Sequence, residues 1–204
     1  MHISEGVLSP GIVIVGWLGV IPILAFSLKT IKSHQLPRIA LFSSLFFVIS
    51  FIHVPLGPTS AHLSLNGLLG LFLGIGVFPA LFIALLFQAL FFQYGGITVL
   101  GINTLIMGIP PYLSSLFLAQ RLNSSRKAVT FVSALAIGSF SFLGSVILLS
   151  LITYLSNPKF YLFSGVLFIT QVPMALVEGL ITAFTVMFLK QTYPEALNLA
   201  RHPY

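Results

Sequence analysis

Residues 63–94 read LSLNGLLGLFLGIGVFPALFIALLFQALFFQY, an apolar run without a single Asp, Glu, Lys or Arg. A lipid-spanning helix needs about 17–25 predominantly apolar residues. The run therefore reads as two such stretches, Leu63 to Phe78 and Pro79 to Tyr94, divided at Gly76-Val77-Phe78-Pro79. Working outward, further apolar stretches run from Pro10 to Lys29, Ile39 to Val54, Thr104 to Gln120, Ala128 to Leu155 and Leu162 to Leu189. Composition agrees with a chain that lies mostly in lipid. Of 204 residues, 57% are hydrophobic and only 6% are charged, whereas a soluble domain carries about 25% charged residues to solvate its surface. Lipid is the solvent for most of this chain. The fold class expected is an all-α integral membrane protein of about seven transmembrane helices in the lipid bilayer.

Charge sets the expected orientation. With the N-terminus outside, the inside segments are Lys29–Arg38, Gly76–Pro79, Arg121–Lys127 and the tail from Lys190. They hold Lys29, Lys32, Arg38, Arg121, Arg126, Lys127, Lys190 and Arg201, eight of the nine basic residues, and only Lys159 falls outside. Cytoplasmic loops are enriched in Lys and Arg, so the N-terminus is expected outside and the C-terminus in the cytoplasm. An even number of helices would spoil this partition. The net charge of +6 belongs to topology and implies no nucleic-acid partner. The expected organisation is one transmembrane unit over residues 1–204, with an N-terminal segment 1–9, a helical bundle 10–189 and a cytoplasmic tail 190–204. No Cys is present, which excludes disulfides and thiolate metal sites.

The outside segments are then Met1–Ser9, His53–His62, Gln93–Asn103 and Ser156–Tyr161. The first three are rich in Gly, Pro, His, Ser and Asn. Such backbone survives at membrane depth only when buried in protein or lining a wet cavity, so their convergence on one face points to a binding site there. Small residues at four-residue spacing, Gly70/Gly74 and Ala175/Gly179/Ala183, allow close helix approach in lipid; packing within the bundle is the plain reading and a docking face the other.

Met1-His2 carries the most specific chemistry. The segment Met1 to Pro10 has no basic n-region and no small-residue cleavage site, so the terminus is expected to stay as translated. A free α-amine, the amide nitrogen of residue two and the Nδ1 of a histidine there can chelate one metal through a five- and a six-membered ring. Such tetragonal nitrogen ligation suits Ni(II) or Cu(II), and accommodates Co(II). The other reading is an ordinary histidine in a frayed terminus. In His53-Val-Pro-Leu-Gly-Pro-Thr-Ser-Ala-His62, two histidines flank a Pro/Gly turn on the same side. His62 stands where the loop re-enters the bundle, behind Thr59 and Ser60, which could orient a ligand from the second coordination sphere; His53 reads as structural. Asn66 and Asn103 are further polar candidates, Asn103 either capping the following helix or bonding a site histidine. His34 and His202 lie beside basic residues on the inner side and read as solvated.

Glu178 is the only acid deep in an expected helix. Buried without a partner it would be costly, which leaves a structural hydrogen bond to another helix or a proton-coupling role in a secondary carrier. There is no Gly-x-x-x-x-Gly-Lys-Ser/Thr, no His-Glu-x-x-His and no Gly-x-Ser-x-Gly. P-loop hydrolysis by this chain is thereby excluded, and protease and esterase readings are weakened. With three acids in all, an enzyme has few players, and none is expected here.

The stretches Met1-His-Ile-Ser-Glu-Gly-Val-Leu8, Gly57-Pro-Thr-Ser-Ala-His-Leu-Ser-Leu-Asn-Gly-Leu-Leu-Gly70 and Gln88 through Gly108 resemble the CbiM/NikM family. These are the membrane substrate-capture components of energy-coupling-factor transporters for cobalt and nickel. The likeness spans most of the chain and weakens after Pro111. It implies Co(II) or Ni(II) as transported substrate, held in a square plane by the Met1 amine, the His2 amide nitrogen, the His2 imidazole and a fourth imidazole that maps onto His62. The N-terminal segment of such proteins inserts into the bundle from outside. The His62-Leu-Ser-Leu-Asn-Gly-Leu68 form is closer to the cobalt branch, linked to cobalamin biosynthesis. Implied partners are a transmembrane coupling subunit, cytoplasmic ATPase subunits and a small accessory membrane subunit, in the plasma membrane of a bacterium or archaeon. Two departures stand out: Pro58 where a small residue is common, and Gln171-Val-Pro-Met174 without the histidine that many relatives carry there.

Overall fold

The computed structural model describes residues 3–56, 59–157 and 161–197. Among them are seven α-helices: α1 (Pro10–Thr30), α2 (Leu36–Ile49), α3 (Asn66–Leu73), α4 (Val77–Phe92), α5 (Leu100–Leu118), α6 (Lys127–Ser156) and α7 (Tyr161–Thr192). Short 3-10 turns over Ser33–Gln35, Gly74–Gly76 and Ala119–Asn123 join several of them. An antiparallel hairpin, β1 (His53–Leu56) and β2 (Thr59–His62), lies between α2 and α3.

Hydrogen bonds between the ends of these elements show that the helices alternate in direction. At one end, the Ser9 N–H before α1 donates to Ser156 Oγ at the close of α6 (2.7 Å), and Phe51 stacks edge-on to Phe92 beyond α2 and α4 (4.7 Å between ring centres). At the other end, Ser27 Oγ on α1 donates to the Ile75 carbonyl (2.9 Å). There too, Lys190 Nζ on α7 donates to the carbonyls of Leu122 and Ser124 and to Thr130 Oγ1. Lys29, Lys32, Arg121, Arg126, Lys127 and Lys190 all sit at this second end. The charge partition read from the sequence is thus a partition between the two ends of the bundle. Lys159 and Arg201 lie outside the described residues.

The third leg differs from the expected helix over Leu63 to Phe78. Only Asn66–Leu73 is α-helical, about 12 Å of rise. Leu65 before it takes a left-handed φ of 51°, and Gly74 after it has φ 50° and ψ −124°. The break toward α4 therefore falls at Gly74–Gly76, ahead of the expected Gly76–Pro79. With α2 only 14 residues long, about 21 Å, the following hairpin starts inside a hydrocarbon layer some 30 Å thick. Backbone there must find its own partners. The ladder supplies them, with His53 opposite His62 and Leu56 opposite Thr59. Hairpin and half-helix together make one leg of the bundle. Five spans remain long and apolar enough to cross a membrane as helices: Pro10–Thr30, Asn66–Phe92 (α3 and α4 with the turn between), Leu100–Asn123, Lys127–Ser156 and Gly165–Thr192.

The exterior is that of a protein in lipid. Apolar side chains such as Ile14, Leu18, Leu41, Phe117, Phe140 and Phe184 face outward, while an apolar core also encloses Ser, Thr, Asn, Gln and Glu178. The window over α3 and α4 is 89% buried, against 17% for α1, so this pair forms the centre. Close backbone approach holds α3 there. A Cβ on Gly67 would lie 2.5 Å from Gly138 Cα, and one on Gly179 would lie 2.2 Å from Ser139 Oγ. The rows Gly70/Gly74 and Ala175/Gly179/Ala183 accordingly serve packing within the bundle: Gly70 abuts the Pro111 carbonyl, and the Ala175 carbonyl accepts Ser139 Oγ at 3.0 Å.

Candidate metal centre

The first described residue, Ile3, is 5% exposed and is gripped from both sides by one side chain. Its N–H donates to Asn103 Oδ1 and its carbonyl accepts from Asn103 Nδ2, each at 2.9 Å. A carboxamide offers one acceptor and two donors, so it reads an extended backbone much as a neighbouring β-strand would. Asn103 stands in the first turns of α5, whose cap position is Val99 with no side-chain bond. Capping is therefore not what Asn103 does; among the described residues its partner is the Ile3 backbone.

The grip extends along the segment. The Glu5 N–H donates to the Gly95 carbonyl, and Glu5 Oε1 accepts from the Thr98 N–H, both at 3.0 Å. Gly96 carries φ +142°, and a Cβ there would come within 1.9 Å of Glu5 Cγ. Only glycine tolerates both the conformation and the approach. Trp17 Nε1 on α1 donates to the Thr98 carbonyl at 2.9 Å. The Gln93–Asn103 stretch is thus the seat of the N-terminal segment. Glu5 and Trp17 were not among the site residues expected from sequence. Their signal was present only as Glu5 within Met1-His-Ile-Ser-Glu-Gly6. Met1 and His2 lie outside the described residues, as does Pro58.

His62 closes β2 and is 2% exposed, with the ring of Phe46 edge-on at 6.3 Å between centres. Its Nδ1 lies 3.1 Å from the Leu63 carbonyl. A carbonyl only accepts, so the contact calls for the proton on Nδ1; in the neutral ring the lone pair then falls on Nε2, the tautomer that an Nε2 metal ligand requires. The side chains of His53, Thr59 and Ser60 lie outside the described residues. Asn66 is fully buried at the start of α3, and its Nδ2 donates to Ser145 Oγ on α6 at 3.4 Å. Among the described residues no three His, Cys, Asp or Glu side chains cluster as a metal site.

Glu178, in mid-α7 and fully buried, has its structural role on view. Its Oε1 accepts from Ser64 N–H, from Ser64 Oγ at 2.8 Å and from Leu65 N–H at 3.0 Å. These donors belong to the two residues that lead into α3. Glu178 thus fastens the entry to the half-helix from another helix.

The two ends of the bundle differ in charge accordingly. Around the N-terminal segment Glu5 is the only charged residue among those described, while Lys and Arg gather at the far end.

The family described as the cobalt uptake substrate-specific transmembrane region, CbiM, matches residues 2–196. This chain belongs to the CbiM family. A Haemophilus influenzae protein, named provisionally for metal transport, is 36% identical over 97% of each chain. The cobalt transport protein CbiM of Lachnoclostridium phytofermentans is 32% identical over 96% of this chain and 84% of its own length. The crystal structure of a truncated transition metal transporter superposes with a TM-score of 0.73, covering 96% of this chain and 99% of that one at 24% identity, which shows the shared fold. As a CbiM-family member, this chain is a multi-pass membrane component of metal transport.

Proposed function

We propose that this chain is the substrate-capture component of an ATP-driven energy-coupling-factor importer for Co(II) or Ni(II). The ion binds through the Met1 amine, the His2 amide nitrogen, the His2 imidazole and the His62 imidazole. The observation that carries the reading is the two-sided grip of Asn103 on Ile3. It ties the residue to which His2 is joined into the buried interior, and so opposes a frayed terminus. The His62 tautomer set by the Leu63 carbonyl supports the fourth ligand. Four nitrogens in a plane suit Ni(II) by geometry and accept Co(II); affinity order favours nickel, and availability in the cell decides.

The basic second end of the bundle faces the cytoplasm by the positive-inside rule. That orientation places the N-terminal segment outside and makes the seven legs seven crossings. Three acids and no P-loop leave the chain without its own energy source, so a transmembrane coupling subunit, cytoplasmic ATPases and a small accessory membrane subunit complete the importer. The test is uptake of labelled Co(II) or Ni(II) by cells expressing the full system. Uptake that stops on ATP depletion and in His62→Ala is expected. Uptake that persists without ATP and fails in Glu178→Gln would instead assign a proton-coupled carrier.

A further inference from the structure

Glu178 touches no residue of the proposed ligand set, yet it holds the chain two and three residues beyond His62. Ser64 N–H, Ser64 Oγ and Leu65 N–H all converge on its Oε1. Leu65 is left-handed at φ 51°, a conformation that a non-glycine residue keeps only when its surroundings impose it. Here the imposing group is a carboxylate on a different helix, more than 110 residues away in sequence. Between the two anchors the chain has little freedom. On one side, Leu63 N–H donates to the Ile52 carbonyl at 3.1 Å. On the other, Asn66 enters α3 and reaches Ser145. The Leu63 carbonyl, which sets the His62 tautomer, lies in this clamped stretch.

We infer that Glu178 is the positioning residue for His62, fixing the imidazole's place and tautomer through Ser64 and Leu65. Its own seat is equally firm. The Glu178 carbonyl accepts Thr182 Oγ1 at 2.9 Å, and a Cβ on Gly138 would lie 2.6 Å from that carbonyl. The histidine is therefore referenced to the packed α6–α7 pair, and α7 is tied at its far end by Lys190. Partners beyond the first coordination sphere of a ligating histidine typically govern metal affinity by about 10–100-fold.

The inference deepens the proposed metal-capture role, and its first test needs no metal. In the metal-free full chain in lipid nanodiscs, the imidazole NMR signals assigned to His62 by their loss in His62→Ala should shift in Glu178→Ala. In Glu178→Gln they should return close to the original, because the amide oxygen still accepts from Ser64 and Leu65. With Ni(II) added, Glu178→Ala should weaken binding by about 10–100-fold and move the absorption band, with Glu178→Gln recovering most of both. Lys190→Ala, which loosens α7 at its other end, serves as the control for general destabilisation and should leave the His62 signals unchanged. Unmoved His62 signals in Glu178→Ala would overturn the inference, as would Lys190→Ala shifting them equally. Failure of the unaltered chain to bind Ni(II) would defeat the capture role alone, since the imidazole signals still decide the positioning.

Discussion

The carboxamide of Asn103 binds the backbone of Ile3 twice along one edge, accepting from its N–H and donating to its carbonyl, each at 2.9 Å. One side chain thus ties the start of the chain to the start of α5, a hundred residues on. Replacing it with Ala leaves a buried donor and a buried acceptor without partners, costing about 1–3 kcal/mol each. Asn103→Ala should release the terminus, weaken Ni(II) binding by about tenfold or more, and leave the helical content unchanged. Titration calorimetry beside circular dichroism checks this. Asn103→Asp retains the acceptor and loses the donor, and should fall between.

Gly96 offers a second handle on the same segment. A methyl group there would strike Glu5 Cγ at 1.9 Å on a backbone at φ +142°, so Gly96→Ala should lift the N-terminal segment off the α4–α5 loop while α1 to α7 persist. Protease digestion of protein in nanodiscs should then cut before Pro10, where the unaltered chain resists.

Gly67 probes the packing that holds the half-helix. A Cβ 2.5 Å from Gly138 Cα meets backbone that cannot yield, and overpacking of this kind costs typically 1–3 kcal/mol. Gly67→Ala should lower the melting temperature clearly. Gly11→Ala, with nothing within 4 Å, should not.

Binding should weaken as pH falls. The ligand set needs a neutral α-amine, whose ordinary pKa is about 7.7–8.0, and a deprotonated amide. Below that range each proton bound to the amine competes with the metal, so apparent affinity drops by about tenfold per pH unit for that proton alone. Ni(II) titrations between pH 6 and 9 measure the slope; a flat profile would exclude the amine as a ligand.

The helices were legible because lipid imposes a strong rule on composition: apolar runs and the clustering of Lys29, Lys32, Arg121, Arg126, Lys127 and Lys190 mark the legs and their ends. Boundaries agree within a few residues for α1, α6 and α7. The third leg was not legible. Leu63 to Phe78 is apolar throughout, and hydropathy cannot say that Leu65 turns left-handed or that the helix starts only at Asn66. The entry to that helix is held by Glu178, a partner from another helix. The same limit hid the role of Asn103, whose local pattern matches a helix cap while its true partner is Ile3. His62 was visible as a histidine at a re-entry point; its tautomer depends on the fold of Leu63 and needed coordinates.

The most direct measurement is the absorption spectrum of the purified chain loaded with Ni(II), compared between the terminus as encoded and the same chain with its Met1 amine acetylated. Mass spectrometry confirms each terminus. A yellow, diamagnetic complex at one ion per chain in the first, absent in the second, is the result the account predicts. Equal binding by both would contradict it, because an acetylated nitrogen no longer offers an amine lone pair to the metal.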